Sequence, residues 1–581
     1  MKLKKENWVI KRRGGAMEEM VSKLGITPAF ARILCGRGYD TAEKAAAFLY
    51  PAGAELTQAE ALPDADRFCA FLMRIREAAS KVRVIGDYDA DGVTATYLML
   101  SGLAEFGITA DYRIPNRITD GYGISVDMVK EAVRDGVKVL ITVDNGIAAV
   151  EPVHYAKEAG LTVLITDHHE PQEVIPEADV IVDYKLIPNY AGTAVCGAVV
   201  AGRLMDELLR RNGKEGFLER NLEVLALATV ADVMQLTGDN RIIVQRALAK
   251  PVSMWNIGLQ CLMEANHLTT APKAYTLGYV LAPCINALGR LAEADPGVKL
   301  LMEENPDEAK KLAEKMVEAN RLRKEMTTKA IEAAVAVLDA EEQPRQAPIV
   351  LYSEQCHESI AGIVAGKLRE RYYLPAIVLC RAEDEKYAKG SGRSIEEYSI
   401  FEGLQSCAGL LERFGGHSQA CGLTVSRDNI PAFRQVLAEH FQRNLQSEVS
   451  EKITIDLVVH FADLTPQLVA EISRMEPYGN GNHKPVLAVR EAKIVRISHF
   501  GKATKYTRLV LKDEHGDRIT GVYFGNADDF VTEAKAAYGE EAVKEIFSGY
   551  GNSRINVLFS PQYSTYTHEI EITVDHFRMI P

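Results

Sequence analysis

The sequence predicts a multidomain α/β protein with a parallel-sheet domain, a second α/β domain and a C-terminal β-barrel. Three observations predict this architecture. The chain has 581 residues, which is too long for one hydrophobic core. From Val82 onward, short apolar strands alternate with amphipathic helices, the pattern of a parallel sheet with helices on both faces. From Thr454 onward, short strands separated by turns favour a small barrel.

Changes in pattern divide the chain into five predicted segments. They are a helical lead-in (1–75), the parallel-sheet domain (76–265), a connecting helical region (266–345), the second α/β domain (346–447) and the barrel (448–581). The stretch from Asp307 to Glu341 is highly charged and contains no proline or glycine. We expect an exposed helix that connects two lobes, since a core helix would show a broader apolar face.

Composition excludes several classes of protein. The chain is 47% hydrophobic and 25% charged, as in ordinary globular proteins. No apolar run approaches the roughly 18–20 residues needed to cross a bilayer. No secretory signal follows Met1, and the nine cysteines form no Cys-x-x-Cys pair, so we expect a cytoplasmic protein without zinc ribbons or disulfides. The net charge of −13 argues against a protein that coats duplex DNA, but a metal cluster would account for many of the acids.

The parallel-sheet domain is predicted element by element from this alternation. The expected strands are Val82–Gly86, Ala110–Ile114, Val137–Val143, Leu161–Thr166 and Val180–Val182. The expected helices are Val93–Phe106, Ser125–Asp135, Val150–Gly160 and Asn221–Ala231.

Three of these strands end in aspartate. The first leads into Asp87, Asp89 and Asp91, another into Asp144, and a third into Asp167-His168-His169. The carboxyl ends of parallel strands share one edge of a sheet, so these side chains should converge. Carboxylates this close repel one another unless a cation neutralises them, which predicts a site for a hard divalent metal. The alternative is a solvated turn in which Asp91 caps the helix that begins near Val93.

The second α/β domain and the barrel follow the same logic. We expect strands at Ile349–Leu351 and Ala376–Leu379 around a helix at Ile360–Glu370. Gly390-Ser391-Gly392-Arg393-Ser394 offers backbone donors, hydroxyls and a guanidinium to a phosphate, or is only a surface loop. The barrel aromatics Phe524 and Tyr563 are equally compatible with core and with base stacking. The expected barrel strands are Thr454–Val459, Val486–Val495, Thr507–Lys512, Ile519–Phe524, Ile555–Phe559 and Glu569–Val574.

An ordered set of motifs resembles the DHH phosphoesterase superfamily over nearly the whole chain. The set begins with Asp87-Tyr-Asp-Ala-Asp-Gly-Val-Thr and Pro115-Asn-Arg. Five further motifs follow in order: Asp120-Gly-Tyr-Gly, Asp144-Asn-Gly-Ile, Asp167-His-His, Ala231-Asp-Val-Met-Gln-Leu and Pro283-Cys-Ile-Asn-Ala-Leu-Gly-Arg-Leu. Gly362-Ile-Val-Ala-Gly-Lys-Leu, Gly390-Ser-Gly-Arg-Ser and Phe414-Gly-Gly-His are typical of the companion DHHA1 domain. Pro477-Tyr-Gly-Asn-Gly-Asn leads into a barrel of the OB type.

The resemblance implies a centre of two Mn²⁺ or Mg²⁺ ions. It assigns Asp144 as the bridging ligand, together with the further ligands Asp89, Asp91, His168 and Asp232. Asp87 would contact the metals directly or through water. His169 would steer the phosphate or the attacking water, and Asp167 would orient an imidazole.

The resemblance also implies a substrate and partners. It places Ser391, Arg393, Arg290 and Arg117 at a terminal 5′-phosphate, and Tyr122 against a base, while His417 either touches the substrate or holds its turn. The implied activity is a 5′-to-3′ exonuclease specific for single-stranded DNA, acting in repair and recombination. A RecQ-type helicase, single-strand-binding protein and mismatch-repair factors are the implied partners.

Two other functions stay open at this point. Relatives that hydrolyse short oligonucleotides or cyclic dinucleotides usually have only the two catalytic lobes, so the C-terminal barrel argues against that activity. A catalytically silent DNA-binding scaffold ranks last, because every presumed ligand is present.

Overall fold

The structure, a computed structural model, describes two compact units. It covers residues 5–11, 14–51, 55–116, 120–291, 295–340, 347–445, 448–501, 504–564 and 567–580, with the backbone alone at Glu60, Arg290 and Leu291. The sheet unit comprises Pro51–Glu325 with Pro477–His483, and the barrel unit comprises Met1–Tyr50, Met326–Glu476 and Lys484–Pro581. The five-segment division of the sequence stays a prediction.

The sheet unit contains the predicted parallel sheet. Its five strands lie in the spatial order Ala110–Arg113, Val82–Ile85, Val139–Val143, Thr162–Thr166 and Val180–Val182, and all are paired in parallel. After the strand Val82–Ile85 the chain adds its next strand on one side of the sheet, and after Val139–Val143 it adds strands on the other side. The direction of strand addition therefore switches between these two neighbouring strands. Ligands of open α/β sheets bind at such a switch point, outside the carboxyl ends of the strands.

Helices of the sheet unit cover both faces of this sheet. Their bounds are Ala65–Glu77, Ala90–Phe106, Val126–Arg134, Val150–Glu158, Gly197–Arg210, Phe217–Arg220, Leu222–Ala231, Gly238–Ala249, Ile257–Ala265, Ala274–Thr276, Ala282–Leu291 and Asp295–Met302, with a π-helical turn at Leu277–Leu281. The expected helix start at Val93 is wrong. Asp89, not Asp91, caps this helix by accepting hydrogen bonds from the Asp91 and Gly92 amides, so the helix begins at Ala90.

The predicted charged helix spans Pro306–Asp339 and contributes to both units. The expectation of an exposed helix is only partly right, because one narrow face of the helix is buried. Three small or flexible side chains pack into the sheet-unit core, Ala309, Ala313 and Met316, and a second set packs into the barrel-unit core: Ala330, Ala334 and Leu338. Because alanine buries little area, this narrow stripe is hard to recognise in a charged sequence.

The barrel unit contains a second sheet, larger than the sequence suggested. Its five strands lie in the order Leu411–His417, Ala420–Ser426, Tyr387–Arg393, Ala376–Arg381 and Ile349–Ser353. Three of these strands were not predicted, because glycines within them suggest turns: Tyr387–Arg393, Leu411–His417 and Ala420–Ser426. A Cβ on Gly390 would lie 2.5 Å from Leu379 Cδ2, and a Cβ on Gly392 would lie 2.5 Å from Cys421 Sγ. Close packing of this sheet therefore requires glycine in the middle of a strand.

The predicted C-terminal barrel is closed. Its strands Leu487–Phe500, Tyr506–Lys512, Arg518–Tyr523, Ile570–Ile580 and Arg554–Tyr563 pair in that order, and the last pairs back onto the first. Leu457–Val458 extends the sheet, and Glu6–Ile10 pairs in parallel with Glu451–Ile455. The remaining helices of this unit are Met17–Leu24, Pro28–Gly36, Ala42–Leu49, Glu358–Tyr372, Ile400–Ser406, Ile430–Asn444, Pro466–Ser473, Ala527–Tyr538 and Glu540–Ser548.

Two further expectations can be compared with the structure. All nine cysteines are buried free thiols. Among the described residues, no helix combines the length and the apolar character needed to cross a bilayer.

Candidate metal centre

Acids and imidazoles from separate parts of the sheet unit meet at the switch point of its sheet. We call this set the acidic edge: Asp87, Asp89, Asp91, Asp144, Asp167, His168, His169 and Asp232. His168 lies at its centre, with Nε2 at 3.0 Å from Asp144 Oδ1, 3.6 Å from Asp91 Oδ2 and 3.8 Å from Asp232 Oδ2. The strand ends converge as the sequence predicted, and Asp232 joins them from the end of the helix Leu222–Ala231.

The acidic edge offers more than one set of potential metal ligands. One set contains Asp91, His168 and Asp232, and within it the ligand atoms lie within 4.8 Å of one another. The same limit holds for Asp87, Asp89 and Asp144, and for Asp144, His168 and His169. Asp144 and His168 each belong to two of these sets, and of the two it is the carboxylate, with two oxygens, that two ions can share.

Three buried atoms of this edge have no hydrogen-bond partner within the described chain: Asp87 Oδ1, Asp144 Oδ1 and His168 Nε2. The last two lie 3.0 Å apart and still are not hydrogen bonded to each other. Buried polar atoms are rarely left unpaired. Carboxylate and imidazole atoms turned towards a common point fit a divalent cation, and a ligand set made mostly of carboxylate oxygens suits manganese or magnesium.

Electrostatics also favours a cation here. Burial raises the pKa of Asp87, Asp89 and Asp144 above the ordinary carboxyl range, and the neighbouring carboxylates raise it further. For Asp232, burial and the charges of Asp91 and Asp89 raise the pKa to about 8. These shifts reflect the cost of holding several acids together without a counter-charge. Burial lowers the pKa of His168, which keeps a ring nitrogen lone pair available for a metal.

Backbone geometry aims two of the ligands. Asp144 adopts a left-handed conformation, with φ at 61°. Buried Asn145 fixes this turn, because its side-chain amide donates to Ile85 O at 3.1 Å and Val143 O at 2.9 Å. Asp91 accepts hydrogen bonds from the amides of Gly197 at 2.7 Å and Ala198 at 2.9 Å, at the start of the helix Gly197–Arg210.

The sequence did not single out Asn145 or Gly197 as site residues. A Cβ on Gly197 would lie 2.6 Å from Asp144 Oδ1, so glycine is needed for this helix to approach the acidic edge. Asn145 belongs to the motif Asp144-Asn-Gly-Ile, and this membership could have indicated that it is a site residue. Gly197 follows Cys196 in an apolar stretch and offered no such indication.

Asp167 orients His169. Its Oδ1 lies 2.7 Å from His169 Nδ1 and accepts the His168 and His169 amides, while Oδ2 accepts the Ile147 amide at 2.9 Å. Burial lowers the pKa of His169, but the hydrogen bond and charge of Asp167 raise it more, to about 9.

Tyr122 lies beside the His169 ring that Asp167 orients. Its hydroxyl lies 3.1 Å from His169 Nδ1 and donates to Asp144 O at 3.1 Å, while half of the residue is exposed. An exposed ring beside the acidic edge is compatible with the predicted stacking against a base.

The residues predicted to hold a 5′-phosphate lie partly outside the described chain. Arg117 is outside the described residues, and the side chain of Arg290 is not described. Ser391 and Arg393 lie two residues apart in the strand Tyr387–Arg393, so their side chains share one face of the sheet. Their place in a strand excludes the surface-loop alternative. Both lie against the helix Glu358–Tyr372, where a Cβ on Gly362 would be 3.0 Å from Arg393 Nη2 and 3.5 Å from Ser391 Cβ.

His417 and the barrel aromatics are exposed. His417 ends the strand Leu411–His417, and its Nδ1 accepts the Gln419 amide at 3.3 Å, so the ring stabilises this turn. Contact of His417 with the substrate stays a prediction. Phe524 and Tyr563 each leave about half of their surface exposed, so neither belongs to the core. Phe524 packs beside Tyr506 with ring centroids 5.3 Å apart, and Arg508 lies over the neighbouring Phe500 ring.

Comparisons with known proteins agree with this architecture. Residues 81–229 match the DHH family N-terminal domain, 346–443 the DHHA1 domain and 455–575 the RecJ OB domain. The chain is 34% identical over 525 residues to the single-stranded-DNA-specific exonuclease RecJ of Bacillus subtilis, covering 88% of this chain but only 65% of that protein. It is 32% identical over 429 residues to RecJ of Escherichia coli, covering 70% of this chain and 74% of that protein.

Solved structures show the same fold. RecJ of Thermus thermophilus in complex with Mn²⁺ has a TM-score of 0.82 at 24% identity, covering 99% of this chain and 80% of that chain. The same Thermus protein in complex with Mg²⁺ has a TM-score of 0.77. The chain belongs to the RecJ family of single-stranded-DNA-specific exonucleases, whose DHH, DHHA1 and OB domains it contains in that order.

Proposed function

We propose that this chain hydrolyses single-stranded DNA from its 5′ end with two divalent ions, Mn²⁺ or Mg²⁺, held at the acidic edge. One observation carries the proposal: buried, unpartnered atoms of Asp87, Asp144 and His168 converge at the switch point of a DHH-type sheet. No protein nucleophile is needed, because water can attack the phosphodiester.

The proposed metal ligands are supported by the convergence of their side chains at the acidic edge. Asp144 would be the ligand shared by both ions, and four further residues would hold them: Asp89, Asp91, His168 and Asp232. Asp87 completes the cluster directly or through water. When bound, the two ions lower the pKa of water, neutralise the phosphate and stabilise the departing 3′-oxygen.

His169 and Asp167 position the scissile phosphate. Asp167 keeps the His169 ring in place, because its Oδ1 lies 2.7 Å from His169 Nδ1. The oriented ring lies beside the proposed metal ligands Asp144 and His168, where it steers the scissile phosphate or the attacking water. Tyr122 supports the same ring and offers its exposed face to a base.

Recognition of the 5′ end is assigned to the barrel unit and to two arginines. Ser391 and Arg393 supply a hydroxyl and a guanidinium to the terminal phosphate, together with Arg117 and Arg290. His417 contacts the same end of the strand. The exposed barrel rings around Phe524 stack bases of the incoming strand, which explains why a two-lobe oligonucleotide phosphodiesterase is the weaker alternative.

A cellular setting and partners are part of the proposal. We place the chain in the cytoplasm, in DNA repair and recombination. A RecQ-type helicase would supply unwound strands, and single-strand-binding protein and mismatch-repair factors would direct the nuclease to them.

One assay tests substrate, polarity and metal together. Single strands labelled at either end are incubated with Mn²⁺, Mg²⁺ or chelator. We expect metal-dependent release of a 5′-labelled mononucleotide at the earliest times, with the 3′ label kept in long products. Release from the 3′ end would contradict the polarity, strong preference for dinucleotides would favour the phosphodiesterase, and no hydrolysis with either metal would favour a silent scaffold.

A further inference from the structure

A second group of potential metal ligands lies on the barrel unit. His460 follows the barrel segment Leu457–Val458, and Glu514 and His515 lie in the turn between the strands Tyr506–Lys512 and Arg518–Tyr523. His460 Nδ1 is 3.6 Å and His515 Nε2 is 3.8 Å from Glu514 Oε1. One ligand atom from each residue lies within 4.8 Å of the other two. All three residues are exposed, so an ion from solution can reach them.

We propose that His460, Glu514 and His515 form a binding site for one zinc-type transition-metal ion. This site is separate in sequence from the acidic edge, which belongs to the sheet unit. It plays no part in hydrolysis, and its ion joins two segments of the barrel.

The distances fit a metal site better than a hydrogen-bonded cluster. Separations of 3.6 and 3.8 Å exceed the usual range for hydrogen bonds between nitrogen and oxygen. Tetrahedral zinc with bonds of about 2.0–2.1 Å brings its ligand atoms to about 3.3–3.4 Å from one another. A shift of a few tenths of an ångström in exposed side chains would therefore close the site around an ion.

Buried Asp513 prearranges the two segments that carry the ligands. Its Oδ2 accepts the Phe461 amide at 2.9 Å, and its Oδ1 accepts the amides of His515 at 3.1 Å and Asp517 at 3.0 Å. The backbone beside His460 is thus tied to the turn that holds Glu514 and His515. Because these hydrogen bonds join protein atoms only, little ordering of the backbone is required when an ion binds.

The donor set determines which ions are favoured. Two imidazole nitrogens and one carboxylate oxygen suit Zn²⁺, Co²⁺, Ni²⁺ or Cu²⁺, whereas Mg²⁺ prefers oxygen ligands. Three protein ligands leave a fourth position for water. An ion that binds only the folded barrel stabilises the fold, so zinc should raise the unfolding temperature of the chain.

The test measures zinc directly. Equilibrium dialysis of the full chain against micromolar Zn²⁺, in excess Mg²⁺, gives the number of bound ions for the natural protein and for His515→Gln. We expect His515→Gln to bind one ion fewer and to lose most of the zinc-dependent rise in unfolding temperature. The acidic edge is unchanged by the substitution, so its contribution cancels in this difference.

A matched control and a second variant complete the design. His568→Asn removes another exposed barrel histidine and should behave as the natural protein. Glu514→Gln keeps the shape of the third ligand without its charge and should also weaken zinc binding, which covers the case in which His515→Gln fails to fold. Equal zinc stoichiometry and equal thermal response in the natural protein and in the folded site variants would overturn the proposal. The nuclease assay should be unaffected by any of these changes.

Discussion

The acidic edge of the sheet unit and the glycine-containing strand Tyr387–Arg393 of the barrel unit are both proposed to contact phosphate, but they are built differently. The acidic edge gathers side chains from three strand ends and one helix end around atoms that lack partners. The glycine-containing strand is paired on both sides and presents Ser391 and Arg393 to a helix.

The difference separates chemistry from recognition. Several converging acids are costly unless an ion neutralises them, so the acidic edge needs its ligand to be electrostatically balanced. A single guanidinium on a regular strand is stable without a phosphate. Loss of a metal ligand of the acidic edge should therefore cost most of the turnover, whereas loss of Arg393 should weaken the preference for a 5′-phosphate more than it lowers the maximal rate.

The largest effect is expected for Asp144→Ala. Removing the bridging carboxylate should lower kcat by about 10³-fold or more, equivalent to about 4 kcal/mol, because both ions lose a ligand. Binding of single-stranded DNA, measured by fluorescence anisotropy, should persist. Asp127→Ala, at an exposed position of the same unit, is the control and should leave kcat unchanged. Normal turnover of Asp144→Ala would remove the metal assignment.

A smaller loss is expected for Gly197→Ala. The new Cβ would lie 2.6 Å from Asp144 Oδ1. It would displace either that carboxylate or the start of the helix Gly197–Arg210, whose amides donate to Asp91. We expect kcat to fall by about 10–100-fold, the usual cost of disturbing the support of a metal ligand. Gly409→Ala adds the same methyl group where no atom lies within 4 Å and should be silent. Identical kinetics for the two variants would show that the close approach has no catalytic consequence.

Arg393→Ala tests the recognition side of the comparison. We expect about a tenfold loss of the preference for 5′-phosphorylated over 5′-hydroxyl strands, with a smaller change in the maximal rate, because one charge-assisted contact is removed. Competition between the two substrates measures this preference. Arg413→Ala removes an exposed arginine from the same sheet and is the control. An equal loss on both kinds of end would contradict phosphate recognition by Arg393.

The smallest effect concerns stability and pH. A carboxyl whose pKa is raised in the folded chain stabilises the fold while protonated, and this contribution is lost as pH rises through the folded pKa. Asp87 and Asp144 are shifted upward, and Asp232 to about 8, so the metal-free chain should lose stability from about pH 5 to pH 8.

Mn²⁺ should offset this loss. We expect the rise in unfolding temperature caused by Mn²⁺, measured by scanning calorimetry, to grow by a few degrees from about pH 6 to about pH 8. Asp144→Ala should reduce this growth. A response to Mn²⁺ that does not change with pH would argue against ions bound among these carboxylates.

The sequence predicted the acidic edge better than its surroundings, for a physical reason. Parallel strands all end at one edge, so strand direction alone brought Asp87, Asp144 and His168 together. The sequence suggests Asp91 as the cap of the helix that follows the first strand of the parallel sheet, but Asp89 is the cap in the structure. The difference arises because capping depends on local backbone geometry, which periodicity does not report. Gly197 matters through an approach between distant segments, and no local pattern indicates such an approach.

The barrel unit shows the same limit. Strands rich in apolar residues were recognised, whereas Leu411–His417 and Ala420–Ser426 were missed because glycines interrupt the alternation that identifies a strand. The strand Glu6–Ile10 is defined by its pairing with Glu451–Ile455, more than four hundred residues later in the chain. Sequence periodicity does not report partners at that distance.

Anomalous diffraction from crystals grown with Mn²⁺ tests the central assignment most directly. Two manganese peaks about 3.5–4 Å apart, with Asp144 between them and Asp91, His168 and Asp232 within bonding distance, are the expected result. Absence of manganese from these residues, in crystals of a protein that degrades DNA with Mn²⁺, would contradict it.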